Sequence, residues 1–292
     1  MNRFVFYLMN EKGLYVLIEF LNKFNCSLIE YVVLSTDKNV EKDFYNELSD
    51  VCTSNNIKMY NQNDIYPIFE GYKFAVGWRW IIKDKNNLIV LHDSILPKYR
   101  GFTPLVNMLI NGEEDLGVTA LFASEDYDKG NIIKQETITI EYPIKVATAI
   151  EKIAHLYSKL VNEIVDLIVG NITITGTPQN NSEATYSVWR DEKDYFIDWS
   201  KSSAFIRRTV DSLGFPYTGT RTLLNGEIVI IDEVEEYSDL FIENRDVGKV
   251  ILLEESYPVI ICGEGLLKVK KARDLYGKSV IPLKKFRSRF GG

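Results

Sequence analysis

Apolar runs at 4–9, 28–34, 57–60, 72–76, 88–91 and 117–122 are each the length of a buried strand, and turn residues bound most of them. Between the runs, apolar positions recur at helical spacing. After the turn Asn10-Glu11-Lys12-Gly13, a helix is predicted with Leu14, Leu17, Ile18, Leu21 and Phe24 on its apolar side, and 40–52 reads as a charged amphipathic helix. A third helix over 105–111 ends at Gly112, a left-handed cap position. Beyond an alternating segment at 136–140, a long helix is predicted over 145–169. It carries Ile150, Ile153, Tyr157, Leu160, Val161, Ile164 and Ile168 on one side. Such alternation predicts an α/β fold, a Rossmann-like, mostly parallel sheet with helices on both faces. No Gly-x-Gly-x-x-Gly follows the first strand, which excludes a nicotinamide-type dinucleotide site.

The texture changes near 174–181, where Thr, Gly, Pro, Gln and Asn dominate and a linker is expected. A helix over 203–213 follows, then short strands at 227–234, 250–254, 259–262 and 266–270. The turns Asn225-Gly226 and Gly263-Glu264-Gly265 lie beside them. This predicts a small β-rich, open-barrel-like domain. The expected organisation is a catalytic domain over 1–175, a joint over 176–200 and a helix-plus-β domain over 201–292.

The net charge of −7 speaks against a broad phosphate-binding face, so nucleic acid is not an expected partner. Cys26, Cys52 and Cys262 are odd in number and lack Cys-x-x-Cys spacing, which fits reduced thiols in a cytoplasmic protein. The opening apolar run is too short for a signal-peptide core or a membrane span, and no metal site is expected. Of the two histidines, His155 lies two positions from both Ile153 and Tyr157, on the opposite side of its helix, and reads as a surface or structural residue. The basic run 284–289 reads as a solvated tail.

His92 closes the 88–91 strand and opens a segment, His92-Asp93-Ser94-Ile95-Leu96-Pro97-Lys98-Tyr99-Arg100-Gly101-Phe102-Thr103-Pro104, that its prolines and glycine force into an ordered loop. Thr103-Pro104 is a good helix start. His92 therefore lies at the carboxyl end of a strand, where open sheets bind ligands. One helix and one strand later comes Asp128, in Asp128-Lys129-Gly130-Asn131-Ile132, a route that would deliver histidine and carboxylate to one sheet edge. The ordered set His-x-Ser-x-Leu-Pro-x-Tyr-Arg-Gly-x-x-Pro, Gly-Val-Thr and Asp-x-Gly-x-Ile resembles the formyltransferase family. Downstream, Tyr186, Arg190, Ile197-Asp198-Trp199 and Pro216-Tyr217-Thr218-Gly219 resemble the joint of its longer members.

The resemblance implies transfer of a formyl group from N10-formyltetrahydrofolate to an amine, through a tetrahedral adduct with charge on the formyl oxygen. His92 would donate to that oxygen or relay a proton, and Asp128 would orient His92 and collect the amine proton. The folate pocket would take in Trp78, Arg79 and Trp80, the main chain of Ser94, Ile95, Leu96 and Pro97, and the loop of Ser124, Glu125, Asp126 and Tyr127. Lys98 and Arg100 are expected as cations at the cleft mouth. Trp189, Trp199 and Tyr217, with Arg190 beside them, are expected to meet a nucleotide. The family carries Asn two residues before the histidine, and here that position is Val90, which cannot donate. Asn107 is the expected replacement. Phe102 stands where the aminoarabinose enzymes carry arginine, against their particular substrate. The acceptor is expected to be a nucleotide-linked amino dideoxysugar of a bacterial surface glycan, in a chain that forms homodimers through exposed sheet edges. Methionyl-tRNA formylation is one alternative. A non-catalytic folate or nucleotide-sugar binder is another.

Overall fold

The computed structural model describes residues 3–283 and 285–291. Two compact units divide the chain: Met1–Leu105 with Asp115–Ile140 and Thr148–Val188, and Val106–Glu114 with Glu141–Ala147 and Trp189–Gly292.

The elements run β1 (Phe4–Leu8), α1 (Asn10–Lys23), β2 (Ile29–Leu34), α2 (Tyr45–Ser54), β3 (Met59–Asn61), β4 (Tyr72–Val76), β5 (Leu88–His92), β6 (Arg100–Gly101), α3 (Pro104–Asn111), β7 (Asp115–Phe122), β8 (Ile132–Thr139), α4 (Val146–Val169) and β9 (Tyr186–Ser187). Seven strands form one sheet in the order β3-β2-β1-β4-β5-β7-β8. β1 to β5 pair in parallel, and β7 is antiparallel to both β5 and β8. The central parallel strands are buried on both faces, as helix-covered strands must be, and every residue of β1 is buried, whereas the edge strand β3 is largely exposed. The order reverses between β1 and β4, so the crevice beyond their carboxyl ends is the ligand position of a doubly wound sheet.

Two helical expectations need correction. Asn10-Glu11-Lys12-Gly13 is not a turn but the first turn of α1, entered through a left-handed Asn10 (φ 58°). The buried face is accordingly Gly13, Val16, Leu17 and Phe20, and Ile18 is exposed. Gly13 lies so close to β1 that an added Cβ would sit 3.1 Å from Leu8 Cβ. α2 begins at Tyr45 rather than near Val40, after a left-handed Phe44.

In the second unit follow α5 (Ser203–Leu213), β10 (Thr220–Leu224), β11 (Glu227–Tyr237), β12 (Val250–Glu254), β13 (Tyr257–Ile261) and β14 (Leu266–Asp274). The antiparallel order is β10-β11-β14-β13-β12. Ile206 and Val210 of α5 join Ile231, Ile260, Leu267, Val269 and Trp199 in its core. Trp199, expected near a ligand, is instead buried there, its Nε1 donating to Thr222 Oγ1 at 2.9 Å. Among the described residues, no helix is long and apolar enough to cross a membrane, and no group of three or more His, Cys, Asp or Glu could hold a metal ion. Lys284 lies outside the described residues; the run expected as a solvated tail is packed at its end, where Ser288 is buried, Arg289 forms a β-bridge with Lys249 and pairs with Asp246, and Phe290 enters the core.

Candidate functional site

Strand β5 delivers His92 to its carboxyl end, buried to 7% exposure. The imidazole has an acceptor at each nitrogen. Its Nε2 lies 2.9 Å from the Tyr99 carbonyl oxygen, and its Nδ1 is 3.4 Å from Asp128 Oδ1. A carbonyl only accepts, so Nε2 carries the proton of that bond.

Asp128 does not arrive by the expected route. β7 runs antiparallel to β5, with Thr119 opposite His92 and Phe122 opposite Ile89. The end of β7 therefore lies at the far end of β5, about 10 Å of strand away from His92. The 123–131 loop folds back to close that distance. Three bonds fix it: Gly101 N–H donates to Asp128 Oδ2 at 2.8 Å, and Gln179 Nε2 donates to the carbonyls of Asp128 and Gly130 at 2.7 and 2.8 Å. Asp128 sits at φ 55°, a region that Asp and Asn tolerate best after Gly. Gly130 has no room for a side chain, since a Cβ would lie 1.7 Å from the Phe122 oxygen.

The loop after His92 is tied inward. The Thr119 hydroxyl donates to Ser94 O at 2.6 Å and accepts from Leu96 N–H at 3.1 Å. Gln135 Nε2 donates to Leu96 O and to the same hydroxyl, each at 2.9 Å. Ser94 is fully buried, its hydroxyl donating to Lys98 O at 2.7 Å. Ile95 O accepts from Lys98 N–H, and Pro97 O from Thr185 N–H. Lys98 is exposed. Arg100 is not at a rim: it is 1% exposed. Its Nε and Nη2 donate to Gln179 Oε1 at 3.0 and 2.7 Å, and Nη2 also to Asn181 Oδ1 at 2.9 Å. The guanidinium is satisfied inside the protein, which is why a charge could be buried there.

At the end of β4, Gly77 (φ 61°) turns the chain into Trp78-Arg79-Trp80. Trp78 packs edge-on to Tyr7 at 5.3 Å, against a cluster that also receives Val90. Its Nε1 is buried and has no hydrogen-bond partner among the described residues. Arg79 Nη1 pairs with the buried Asp37 at 2.5 Å, and Trp80, 48% exposed, donates through Nε1 to Ser35 Oγ at 3.0 Å. In the 124–128 loop, the Ser124 hydroxyl donates to Asp126 O, Asp126 pairs with Lys129, Glu125 with Lys85, and the exposed Tyr127 ring lies against Phe102.

In the second unit, Asn107 Oδ1 accepts from Arg190 Nη2, Trp189 is exposed and Tyr217 half-buried. Burial lowers the Arg190 pKa from its ordinary value, and its Nε has no hydrogen-bond partner among the described residues. His155 is exposed, with Nδ1 2.5 Å from the Tyr15 hydroxyl.

Sequence reasoning missed a buried group behind His92. Lys12 Nζ, from α1, lies 2.5 Å from Asp93 Oδ2. The Tyr157 hydroxyl, from α4, bonds Asp93 Oδ1 and lies 3.2 Å from Leu91 O. Burial opposes ionisation of Asp93, but the Lys12 charge and the bonds from Lys12 and Tyr157 outweigh it and hold the carboxyl below its usual range. Burial, then Asp93, pushes the Tyr157 phenol well up. The lowered folded value fixes the sign of a pH effect. The stability contributed by Asp93 is complete above its unfolded pKa of about 4 and is lost as pH falls through the lower folded value. The stability gap between wild type and Asp93→Asn should therefore narrow below about pH 4, as read by denaturant midpoints from pH 7 to 3.

Residues 65–165 match the family described as Formyl transferase, and residues 190–290 match Formyl transferase, C-terminal domain. The methionyl-tRNA formyltransferase of Fervidobacterium nodosum is 33% identical over 189 residues, covering 64% of this chain and 59% of the relative. That of Ehrlichia canis is 32% identical over 183 residues, covering 63% and 57%. The chain thus spans about three fifths of the length of these curated relatives. Among solved structures, the N-formyltransferase from Helicobacter canadensis, in complex with folinic acid and dTDP-3-aminofucose, superposes with a TM-score of 0.71. The two are 21% identical, over 92% of this chain and 99% of that one. The fold is shared with that enzyme. With both parts of the family pattern matched over more than half of its length, the chain belongs to the formyltransferase family.

Proposed function

We propose that this protein transfers a formyl group from N10-formyltetrahydrofolate to the amino group of a nucleotide-linked amino dideoxysugar. The observation that carries the reaction is the pair of the buried His92 and the partly buried Asp128, 3.4 Å apart at the carboxyl end of β5, inside the sequence pattern of the family. In the reaction the His92 Nε2–H exchanges the Tyr99 carbonyl for the formyl oxygen, where charge develops, and Asp128 stabilises the cationic ring. Asp128 takes up the amine proton as the new C–N bond forms, and a proton is passed to the departing N10 of the folate as the old C–N bond breaks. The residues at the end of β4 fit a flat heteroaromatic donor. Trp78 holds an unpartnered N–H, and the half-exposed Trp80 offers a stacking face.

What supports a sugar acceptor is the acidic balance of the chain, together with the likeness, over 92% of its length, to a neighbour crystallised with dTDP-3-aminofucose. The sequence relatives favour a second reading, methionyl-tRNA formylation. The test is direct. Purified protein is incubated with N10-formyltetrahydrofolate and either a UDP- or dTDP-linked 3-amino or 4-amino dideoxysugar or charged initiator Met-tRNA. The formamido sugar is expected by mass spectrometry. Formylation of Met-tRNA alone, with weak binding at raised salt, would replace the first reading by the second.

A further inference from the structure

We propose that Lys12, Asp93 and Tyr157 form a buried clamp that positions His92 from behind β5, with Asp93 acting as a second carboxylate whose charge Lys12 balances. The proposal deepens the His92 reading above and assigns three residues that the family motif does not use.

The geometry brackets the histidine. Tyr157, 1% exposed, reaches the carbonyl of Leu91 and the carboxylate of Asp93, the residues on either side of His92. The one proton of the phenol goes to Asp93, so the chain just past β5 is pinned to α4, with the Leu91 carbonyl 3.2 Å from the same hydroxyl. Successive strand side chains point to opposite faces, so Asp93 leaves β5 on the side away from the His92 ring. Lys12 closes the clamp from α1, its side chain and that of Asp93 each 14% exposed, and its ammonium also lies 5.4 Å from the centre of the Tyr157 ring.

The ionisable groups around His92 therefore come from four elements. Asp128 comes from the loop after β7, Asp93 from the position just past β5, Lys12 from α1 and Tyr157 from α4. Thr119, opposite His92 on β7, carries no charge. The Lys12–Asp93 pair is neutral as a unit, so removing one member changes the field at the imidazole and removing both leaves it nearly as it was. A purely structural clamp would behave differently: both changes would lower stability and neither would move the histidine.

The experiment uses the full chain and needs no ligand. His92 ring resonances are followed by NMR over a pH titration; the only other histidine is His155, bonded to Tyr15. Asp93→Asn removes a negative charge and leaves Lys12 unbalanced, so the His92 midpoint should fall by about half a pH unit or more. Lys12→Met/Asp93→Asn should return it to the wild-type position. Should Asp93→Asn not fold, Lys12→Gln serves with the opposite sign, moving the midpoint up. A His92 midpoint unmoved in the folded single variants, with only the melting temperature lowered, would overturn the proposal. Wild-type protein that formylates no amine would overturn the proposed reaction instead, and would leave this titration result standing.

Discussion

Asp128→Asn is expected to lower the rate of formyl transfer by about 10²–10⁴-fold, the range for losing a positioned acid–base group. The substitution is nearly isosteric. Asparagine tolerates the left-handed backbone at this position, and its amide oxygen can still accept the Gly101 N–H. What it lacks is charge, and with it the means to stabilise a cationic His92 or collect a proton. His92→Asn should lose a comparable factor. Because the two act as a unit, the double variant should be scarcely slower than the worse single one. Single-turnover rates with N10-formyltetrahydrofolate and the amino-sugar acceptor check this, with circular dichroism to confirm folding. Near wild-type turnover by either variant would remove His92 and Asp128 from the chemistry.

Arg100→Met should cost stability before it costs affinity. The guanidinium is buried and donates three hydrogen bonds to the amide oxygens of Gln179 and Asn181. Bonds to a charged group contribute roughly 1.5–3 kcal/mol each and do not add fully, so a loss of about 3 kcal/mol in urea unfolding is expected. A kinetic effect should follow through Gln179. Arginine only donates, so Gln179 must turn Oε1 towards it, which aims Nε2 at the Asp128 and Gly130 carbonyls. Without Arg100 that amide is free to flip and the Asp128 loop loosens, lowering kcat. Unchanged stability with a raised KM for the acceptor would restore the expected role of Arg100 as a substrate cation.

The site's address was legible in the sequence, but not its wiring. An apolar run ending in His92, then a loop enforced by Pro97 and Gly101, places the histidine at a strand end with no further information. The route of Asp128 was hidden because apolar patterning carries no strand direction, and β7 looks the same parallel or antiparallel. Arg100 was misplaced because arginine is seldom buried. The partners that make burial tolerable, Gln179 and Asn181, lie in a stretch that reads as linker. Lys12 was assigned to a turn because Gly13 suggests one, whereas here glycine serves the close approach of α1 to β1. β10 escaped notice for a related reason: its inward residues, Thr220 and Thr222, are polar, and each is satisfied by a single bond, to Ile231 O and from Trp199.

The way Thr119 and Gln135 hold the 94–96 loop, while Gly101 and Gln179 hold Asp128, has a kinetic corollary. The imidazole and its carboxylate are thus held in register by hydrogen bonds within the chain itself. Ligand binding energy is then not consumed in assembling them, and turnover should show no lag from a slow isomerisation after mixing.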